Sequence, residues 1–422
     1  MKKWISFIVL IALLAGLAAG ALVRAYAPEF TGAAENVEAF GALWLNTLRM
    51  TVVPLVVSLI ITGIASVTDT AKTGGLVLRA VILFTLLIFF SATFAVIATQ
   101  SWLTAWPLDR AAADAFIADI GDQAVAIREP PTFASWLQGL APTNPVTAAA
   151  NDNILALVVF SIFFAFATTQ LPPELRQPIV IFFRAVSEAM IVIVHWVLLA
   201  GPIGVFALAL GVGLHAGFGA VGVLAQYVVI VTGVLAASTV IAWLIAVTWG
   251  GQPIGRFTSA ATPVWAIAAS TQSSLASLPA MLAAALRGLQ IPARIADVVL
   301  PLAVAVFRFT SPVGNLAVCF FVAHLYGLEP NIVQIAGAVF VAYAVSIAAV
   351  GLPGQVSFIA SIAPICIALG VPTEVLGILI AVEVIPDIFR TLGNVTGDLA
   401  ATSILARGQQ REDATQFGSD TA

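Results

Sequence analysis

Long apolar runs dominate the first part of the chain. They lie near residues 4–24, 38–67, 76–104, 153–170, 176–213 and 219–249. A helix that crosses a bilayer needs about 17–25 apolar residues, and every run reaches that range. The longest runs exceed it, so we expect those helices to tilt or kink. The pattern therefore predicts six membrane-spanning helical segments before residue 250.

Beyond residue 256 the apolar segments become shorter and are interrupted by polar or Pro/Gly clusters. These clusters lie at 270–279, 309–312 and 351–355. Half-length apolar arms flank the first cluster at about 260–269 and 280–289, and the third at about 336–350 and 356–369. No arm alone crosses a bilayer, so each pair predicts a re-entrant hairpin around a protein-enclosed cavity. Matched interrupted segments of this kind indicate the binding site of a transporter.

The last apolar segment, predicted as one helix over 378–407, carries charged residues at membrane depth. At about 100° per residue its polar side chains share an arc of about 100°. They are Glu383, Asp387, Arg390, Thr391, Asn394 and Asp398. Intramembrane charge is costly and is tolerated where it faces a bundle interior or a wet cavity. This polar stripe therefore predicts an intramembrane binding site for a charged ligand.

Composition supports the membrane class. The chain is 61% hydrophobic and 9% charged, whereas soluble domains carry about 25% charged residues. We predict an all-α polytopic protein of the cell inner (plasma) membrane, without a cofactor or a bound metal. No basic cluster supports nucleic-acid binding. Cys319 and Cys366 lie in apolar runs and are interpreted as buried small hydrophobes.

Basic residues suggest the topology. If both termini are cytoplasmic, only Arg24, Arg110 and Arg128 fall outside, as the positive-inside rule expects. The run at 4–24 is taken as the first span, the segment 107–152 as an extramembrane loop, and 407–422 as a disordered cytoplasmic tail. The sequence leaves open whether Arg49 snorkels or faces a domain boundary.

The chain resembles the dicarboxylate/amino acid:cation symporter family, which includes glutamate and neutral amino acid transporters. The specific match is Arg-Thr-Leu-Gly-Asn-Val-Thr-Gly-Asp over 390–398, with Asp387 before it. Supporting matches lie at 272–279, 351–354, 144–145 and 202–207. The resemblance implies eight transmembrane helices plus two re-entrant hairpins, a homotrimer in the bilayer, and an elevator-type mechanism. Its scaffold would comprise 1–75 and 153–213, and its transport domain 76–106 and 214–406, with a broken seventh helix near 294–328.

The resemblance also implies roles at the site. Arg390 would bind the side-chain carboxylate of aspartate or glutamate, although an internal ion pair with Asp387 or Glu383 is the alternative. Asp387 and Thr391 would receive the α-amino group, and Asn394 the α-carboxylate. Further substrate-binding candidates at the hairpin tips and the helix break are Ser273, Ser274, Ser311 and Gly354.

One motif departs from the family. The family's broken helix carries Asn-Met-Asp-Gly-Thr, which binds sodium, whereas this chain has Phe307-Arg308-Phe309-Thr310-Ser311. Phenyl rings supply no oxygen ligand, yet Asp398, which matches a family sodium ligand, is retained. We hypothesise that Arg308 replaces sodium by pairing with Asp398, with Glu383 as a further candidate partner. The alternatives are a structural salt bridge with sodium bound elsewhere, and proton coupling through Glu383 or Asp398.

The sequence thus predicts a secondary active transporter of acidic amino acids that works without sodium. The alternative within the family is a C4-dicarboxylate transporter or a sodium- or proton-coupled symporter. The alternatives from other classes of protein are a channel and an intramembrane enzyme using Ser273 or Ser274. The enzyme is disfavoured because His324, the histidine among the motif-bearing segments, has no apparent acid partner.

Overall fold

The computed structural model describes residues 2–71, 75–118, 137–151, 153–216, 219–348 and 354–419. Every regular element in those ranges is a helix, which confirms the all-helical class. Within the same ranges, 5 helical segments are long and apolar enough to cross a membrane, and shorter apolar helices accompany them. The predicted polytopic helical membrane class is therefore confirmed.

The first half of the fold follows the long apolar runs. Its helices are α1 (Lys2–Tyr26), α2 (Thr31–Arg49), α3 (Val52–Ala71), α4 (Gly75–Ala105), α5 (Arg110–Ile117), α6 (Pro145–Ala150), α7 (Ile154–Thr169), α8 (Pro173–Leu199), α9 (Gly201–Ala216) and α10 (Gly219–Thr248). The run at 38–67 is divided between α2 and α3, and the run at 176–213 between α8 and α9. Each division splits an apolar run that is too long for one helix crossing the bilayer perpendicularly.

The predicted loop at 107–152 contains α5 and α6 in its described parts. Asp109 accepts a hydrogen bond from the backbone N–H of Ala111, at the start of α5. The Asn144 side chain likewise accepts from the N–H groups of Val146 and Thr147, and Pro145 occupies the first turn of α6. The Asn-Pro pair at 144–145 is therefore a helix start, because Asn satisfies the free N–H groups and Pro has none.

The second half is interrupted, as its sequence pattern suggests. Its helices are α11 (Ile254–Thr271), α12 (Ser274–Ala283) with a π turn at Ala284–Gly288, α13 (Ala293–Val306), α14 (Ser311–Leu325), α15 (Ile332–Ala348), α16 (Gly354–Leu369), α17 (Leu376–Leu379) and α18 (Val384–Ser419). The turn between α11 and α12 is narrower than the predicted tip, since 274–279 are helical. The tip of the second hairpin, 349–353, lies outside the described residues.

The last helix starts later than predicted. It begins at Val384 rather than at Ile378, and Glu383 lies in the turn before it. Proline lacks a backbone N–H and fits best in the first turn of a helix, where Pro386 lies, although other helices of the chain accept an internal proline, such as Pro263 and Pro301. Because α18 begins at Val384, Glu383 does not share the helical register assumed for the polar stripe.

The sequence predicts a disordered tail after residue 407, whereas the described part of the tail is helical. Helix α18 continues to Ser419. Residues 408–416 are rich in Gln, Arg, Glu and Ala, which are compatible with a helix, and they contain no proline. Extending an existing helix also avoids the unfavourable nucleation step.

Helix α18 lies centrally and packs against α10, α11 and α13. Its earlier part adjoins an apolar core formed with α10 and α14, and Phe389 packs against that core. Its later part, including Val395 and Leu399, belongs to a second core with α11 to α13. The polar stripe therefore lies where the two cores meet.

Arg49, whose role the sequence leaves open, is an inter-helix contact. At the end of α2 its Nη2 donates to Glu374 Oε1 at 2.5 Å and to the Thr373 hydroxyl. Glu374 lies just before α17, so the ion pair ties the predicted scaffold to the segment leading into α18. Both side chains remain about one-third exposed, at 29% and 35%.

Candidate binding site

Arg390 lies at the centre of a buried polar cluster. Its Nη2 donates to Glu383 Oε1 at 2.7 Å and its Nη1 donates to Asn315 Oδ1 at 2.6 Å. The other Glu383 oxygen, Oε2, accepts from the Tyr227 hydroxyl at 2.9 Å. A buried ion pair is tolerated when its remaining hydrogen-bonding capacity is satisfied. Both carboxylate oxygens of Glu383 meet that condition, so the internal pair that was the alternative for Arg390 is present.

Hydrogen-bond donors nevertheless remain in this cluster. Arg390 Nε and Asn315 Nδ2 are both buried, and neither has a hydrogen-bond partner among the described residues. The Asp387 carboxylate approaches Arg390 Nε only to 3.9 Å, beyond hydrogen-bonding distance. A buried donor without a partner bears a desolvation cost of about 1–3 kcal/mol. The cluster therefore holds Arg390 in place without using all of its donors.

Gly314 makes room for the guanidinium. A Cβ at this position would lie 2.8 Å from both Cζ and Nη2 of Arg390. Glycine inside a helix is destabilising by about 0.5–1 kcal/mol relative to alanine. Its position in the buried stretch of α14 lets Arg390 lie directly against that helix.

The other predicted residues of α18 are buried nearby. Asp387, Thr391 and Asn394 are 5%, 4% and 2% exposed. The Thr391 hydroxyl donates to the Asp387 carbonyl oxygen at 2.9 Å, which is a bond within the helix. Asn394 Oδ1 accepts from the Thr310 backbone N–H at 2.9 Å and lies 2.8 Å from the Thr310 hydroxyl. Asn394 therefore fastens α18 to the helix break, and only its Nδ2 remains for a substrate.

The tip of the first hairpin reaches the start of α18. Gln272, in the left-handed conformation with φ 53°, donates from Nε2 to the Val384 carbonyl oxygen at 3.2 Å. Ser273 caps α12 by accepting from Ala276 N–H at 3.3 Å, and Ser274 begins that helix. Ser273 and Ser274 are partly exposed and adjoin this contact. Ser311 is buried at the start of α14, and Gly354 is the first residue of α16.

The surroundings of Asp398 differ from those of Glu383. It is fully buried, and neither carboxylate oxygen has a hydrogen-bond partner in the described part of the chain. The nearby cation that acts on it electrostatically is Arg308, but no ion pair within 4.0 Å joins the two side chains. The predicted direct pair is therefore absent. Glu383, the further candidate partner, is engaged by Arg390 and Tyr227 instead.

Two aromatic rings lie beside Asp398. Phe307 and Phe309 pack against α18 at Gly397, where a Cβ would lie 2.8 Å from Phe309 Cβ. Phe307 also stacks on Phe84 with ring centroids 4.5 Å apart. Arg308 influences Asp387 and Asp398 electrostatically rather than through an ion pair.

The chain matches the model of the sodium:dicarboxylate symporter family over residues 5–408. It belongs to this family. The family predicted from the motif at 390–398 is thus confirmed, and the symporter is a membrane transporter and not an enzyme.

Similar proteins support this assignment over most of the chain. The symporter is 26% identical over 377 residues to the proton/glutamate-aspartate symporter of Escherichia coli (strain K12), covering 88% of this chain and 85% of the relative. It is 27% identical over 372 residues to the proton/sodium-glutamate symport protein of Bacillus subtilis (strain 168), covering 87% and 85%. It is also 27% identical over 447 residues to the human neutral amino acid transporter B(0), covering 96% and 80%.

Sequence reasoning missed four residues of this candidate site. They are Tyr227, Thr310, Gly314 and Asn315. For Tyr227, Gly314 and Asn315 the signal is a polar or glycine residue inside an otherwise apolar segment. Such a residue lowers helix or membrane stability unless it has a partner. Thr310 stood in the motif but carried no assigned role.

Proposed function

We propose that this symporter is a secondary active transporter of acidic amino acids, aspartate or glutamate. The observation that carries the proposal is a buried guanidinium with an unpaired Nε beside a buried carboxylate. Arg390 fits the substrate's side-chain carboxylate, and Asp387, 3.9 Å from Arg390 Nε, fits its ammonium group. The names of the two bacterial relatives point to the same substrates.

The transport mode we propose is elevator-type alternating access in a homotrimer. Eight transmembrane helices and two hairpins would be divided into the scaffold at 1–75 and 153–213 and a transport domain at 76–106 and 214–406. The interrupted helices α11 to α16 and the Gln272 contact with α18 support a hairpin that closes on the site. Both termini would be cytoplasmic, in the inner membrane, as the distribution of basic residues favours.

Sodium independence is the finer part of the proposal. Phe307 and Phe309 offer no oxygen ligands where the family motif has an amide and a carboxylate. Arg308 supplies a fixed positive charge that acts on Asp387 and Asp398. Charges separated by several ångströms still interact strongly in a low-dielectric interior. A built-in cation of this kind balances the site without a bound ion.

The unpaired Asp398 favours a second candidate, a sodium- or proton-coupled symporter. A fully buried carboxylate without a hydrogen-bond partner is stabilised by a cation or by protonation. Both bacterial relatives are named as proton-coupled symporters, and the name of the Bacillus subtilis protein also includes sodium. If Arg390 and Arg308 balance the negative charge of Asp387, the site needs no ammonium group from the substrate. A C4-dicarboxylate is then the alternative substrate.

Uptake by proteoliposomes tests these statements. Radiolabelled aspartate should accumulate when choline replaces sodium on both sides of the membrane. Complete loss of uptake in choline would overturn sodium independence and leave the substrate class intact. A requirement for an inward proton gradient would favour the second candidate. Competition by succinate as strong as that by glutamate would assign the dicarboxylate class.

A further inference from the structure

We propose that Glu383 is a proton-binding site that takes up a proton when the substrate's side-chain carboxylate binds to Arg390. The inference rests on the proposed function and deepens it, because it names the ion whose gradient would drive a transporter that does not use sodium. Glu383 is 1% exposed and lies in the turn before α18.

Two hydrogen bonds stabilise the ionised form of Glu383 before substrate binds. Its Oε1 accepts from Arg390 Nη2 at 2.7 Å, and its Oε2 accepts from the Tyr227 hydroxyl at 2.9 Å. Hydrogen bonds donated to a carboxylate favour its charged form. The charge of Glu383 in this buried position therefore depends on Arg390, with which it forms an ion pair.

The substrate's carboxylate would approach the edge of Arg390 that already binds Glu383. Arg390 Nε has no hydrogen-bond partner among the described residues, whereas Nη1 donates to Asn315 Oδ1 at 2.6 Å. A carboxylate binds a guanidinium bidentately through two adjacent nitrogens, and the Nε–H group lies on the same edge as Nη2. A substrate carboxylate bound in this way contacts Nη2, which is the nitrogen that donates to Glu383.

Two carboxylates at one guanidinium repel each other strongly in a buried site. Like charges that share a low-dielectric site are stabilised when one of them binds a proton. Asp387, 3.9 Å from Arg390 Nε, is a further carboxylate, but the substrate's ammonium group compensates its charge. Aspartate and glutamate carry one more carboxylate than ammonium, so their binding adds negative charge to the site. A proton taken from water by Glu383 neutralises that charge.

Tyr227 can hold Glu383 in place in both protonation states. A phenolic hydroxyl is both a donor and an acceptor of hydrogen bonds. It donates to the ionised carboxylate and, after its hydrogen rotates, accepts from the protonated acid. Tyr227 is fully buried, and its ring packs edge-on against Phe321 with centroids 5.2 Å apart. This packing keeps the hydroxyl beside Glu383.

The charged and titratable neighbours single out Glu383 among the buried acids. Those that act on it are Arg390, Asp387 and Tyr227. On α14, Cys319 acts on Tyr227, and at the helix break Arg308 acts on Arg390 and Asp387. Arg390 forms ion pairs with Glu383 and Asp387 and, in the described part of the chain, none with Asp398. Glu383 is therefore the acid that loses part of its cation without gaining another.

The test is calorimetric binding of L-aspartate to the full-length protein in sodium-free buffer with detergent. Repeating the titration in buffers of different ionisation enthalpy gives the number of protons taken up. The wild-type protein should take up about one proton per aspartate. Its affinity should fall by about tenfold per unit rise in pH while Glu383 is ionised before binding and protonated after it.

Glu383→Gln keeps the size of the side chain but is permanently neutral. Proton uptake should vanish in this variant, and aspartate affinity should lose its dependence on pH. Glu174→Gln, the same substitution at an exposed position in the first turn of α8, is the matched control and should take up as many protons as the wild type. If Glu383→Gln fails to fold, Tyr227→Phe removes one hydrogen bond to the ionised acid. The fall in affinity should then begin at higher pH.

The outcomes separate this inference from the function on which it rests. Wild-type protein that binds aspartate in sodium-free buffer without proton uptake overturns the role of Glu383 and leaves the acidic substrate class in place. The same conclusion follows if Asp398→Asn abolishes proton uptake and Glu383→Gln does not. Failure of the wild-type protein to bind aspartate, glutamate and succinate overturns the proposed function, and the proton site with it.

Discussion

Glu383 and Asp398 are two buried carboxylates at opposite ends of one polar stripe, and their surroundings differ completely. Glu383 is bound by Arg390 through one oxygen and by Tyr227 through the other. Asp398 has no hydrogen-bond partner among the described residues. Burial alone therefore does not describe the role of an intramembrane acid. The first carboxylate holds the Arg390 cluster together, while the second interacts with Arg308 without an ion pair.

The difference follows from the neighbouring elements. Glu383 lies in the turn before α18, where it reaches Tyr227 on α10. Asp398 lies well inside α18, next to the turn at Gly397 on which Phe307 and Phe309 pack. The rings at the break between α13 and α14 thus form an apolar wall beside Asp398, while Tyr227 on α10 and Arg390 on α18 bind Glu383.

Arg390→Ala should produce the largest effect, because it removes the guanidinium that is ion-paired with Glu383. Aspartate binding should become undetectable by calorimetry. The stability should fall by about 3–5 kcal/mol, since Glu383 is left as a buried charge without its counterion. Arg390→Lys is the control, because a single ammonium keeps the charge but does not reach both Glu383 and Asn315 in the same geometry. Unchanged aspartate affinity in Arg390→Ala would contradict the assigned substrate class.

The isosteric pair Glu383→Gln and Asp398→Asn tests the comparison directly. Glu383→Gln weakens a charge-assisted bond and should reduce stability by about 1.5–3 kcal/mol in thermal unfolding. Asp398→Asn breaks no hydrogen bond of the described residues to its carboxylate, so its stability should stay equal or rise. Equal losses in the two variants would show that Asp398 has a partner in the resting protein.

Gly314→Ala should disturb only the Arg390 cluster. The added Cβ, 2.8 Å from the guanidinium, forces Arg390 to shift, and overpacking of this kind costs about 1–3 kcal/mol. Aspartate affinity should fall about tenfold. Gly222→Ala, on α10 with nothing within 4 Å of the added Cβ, is the matched control. Wild-type affinity in Gly314→Ala would mean that the packing of Arg390 against α14 does not contribute to the site.

Arg308→Met should have the smallest effect on ion dependence. It removes the positive charge but leaves the ligand-poor rings of Phe307 and Phe309, so aspartate uptake should gain no sodium requirement. The measurement is uptake by proteoliposomes in sodium and in choline. The appearance of sodium-dependent uptake in this variant would show that the aromatic break retains a usable ion site.

The sequence by itself determined the class of the protein and predicted where its binding site lies. Apolar length predicts spanning helices, and helical periodicity places Asp387, Arg390 and Asn394 on one face, because both properties depend only on neighbouring residues. The motif at 390–398 indicated the family that the comparisons confirm.

The tertiary structure decided which polar groups become partners. Glu383 lies before the start of α18, and it binds Tyr227, 156 positions away in the chain. Asn315 and Gly314 join the site because α14 packs beside α18, and Arg308 and Asp398 form no ion pair although each lies near the break between α13 and α14. Which polar groups become partners depends on which helices are adjacent and how closely they approach. The periodicity of a single helix does not give this information.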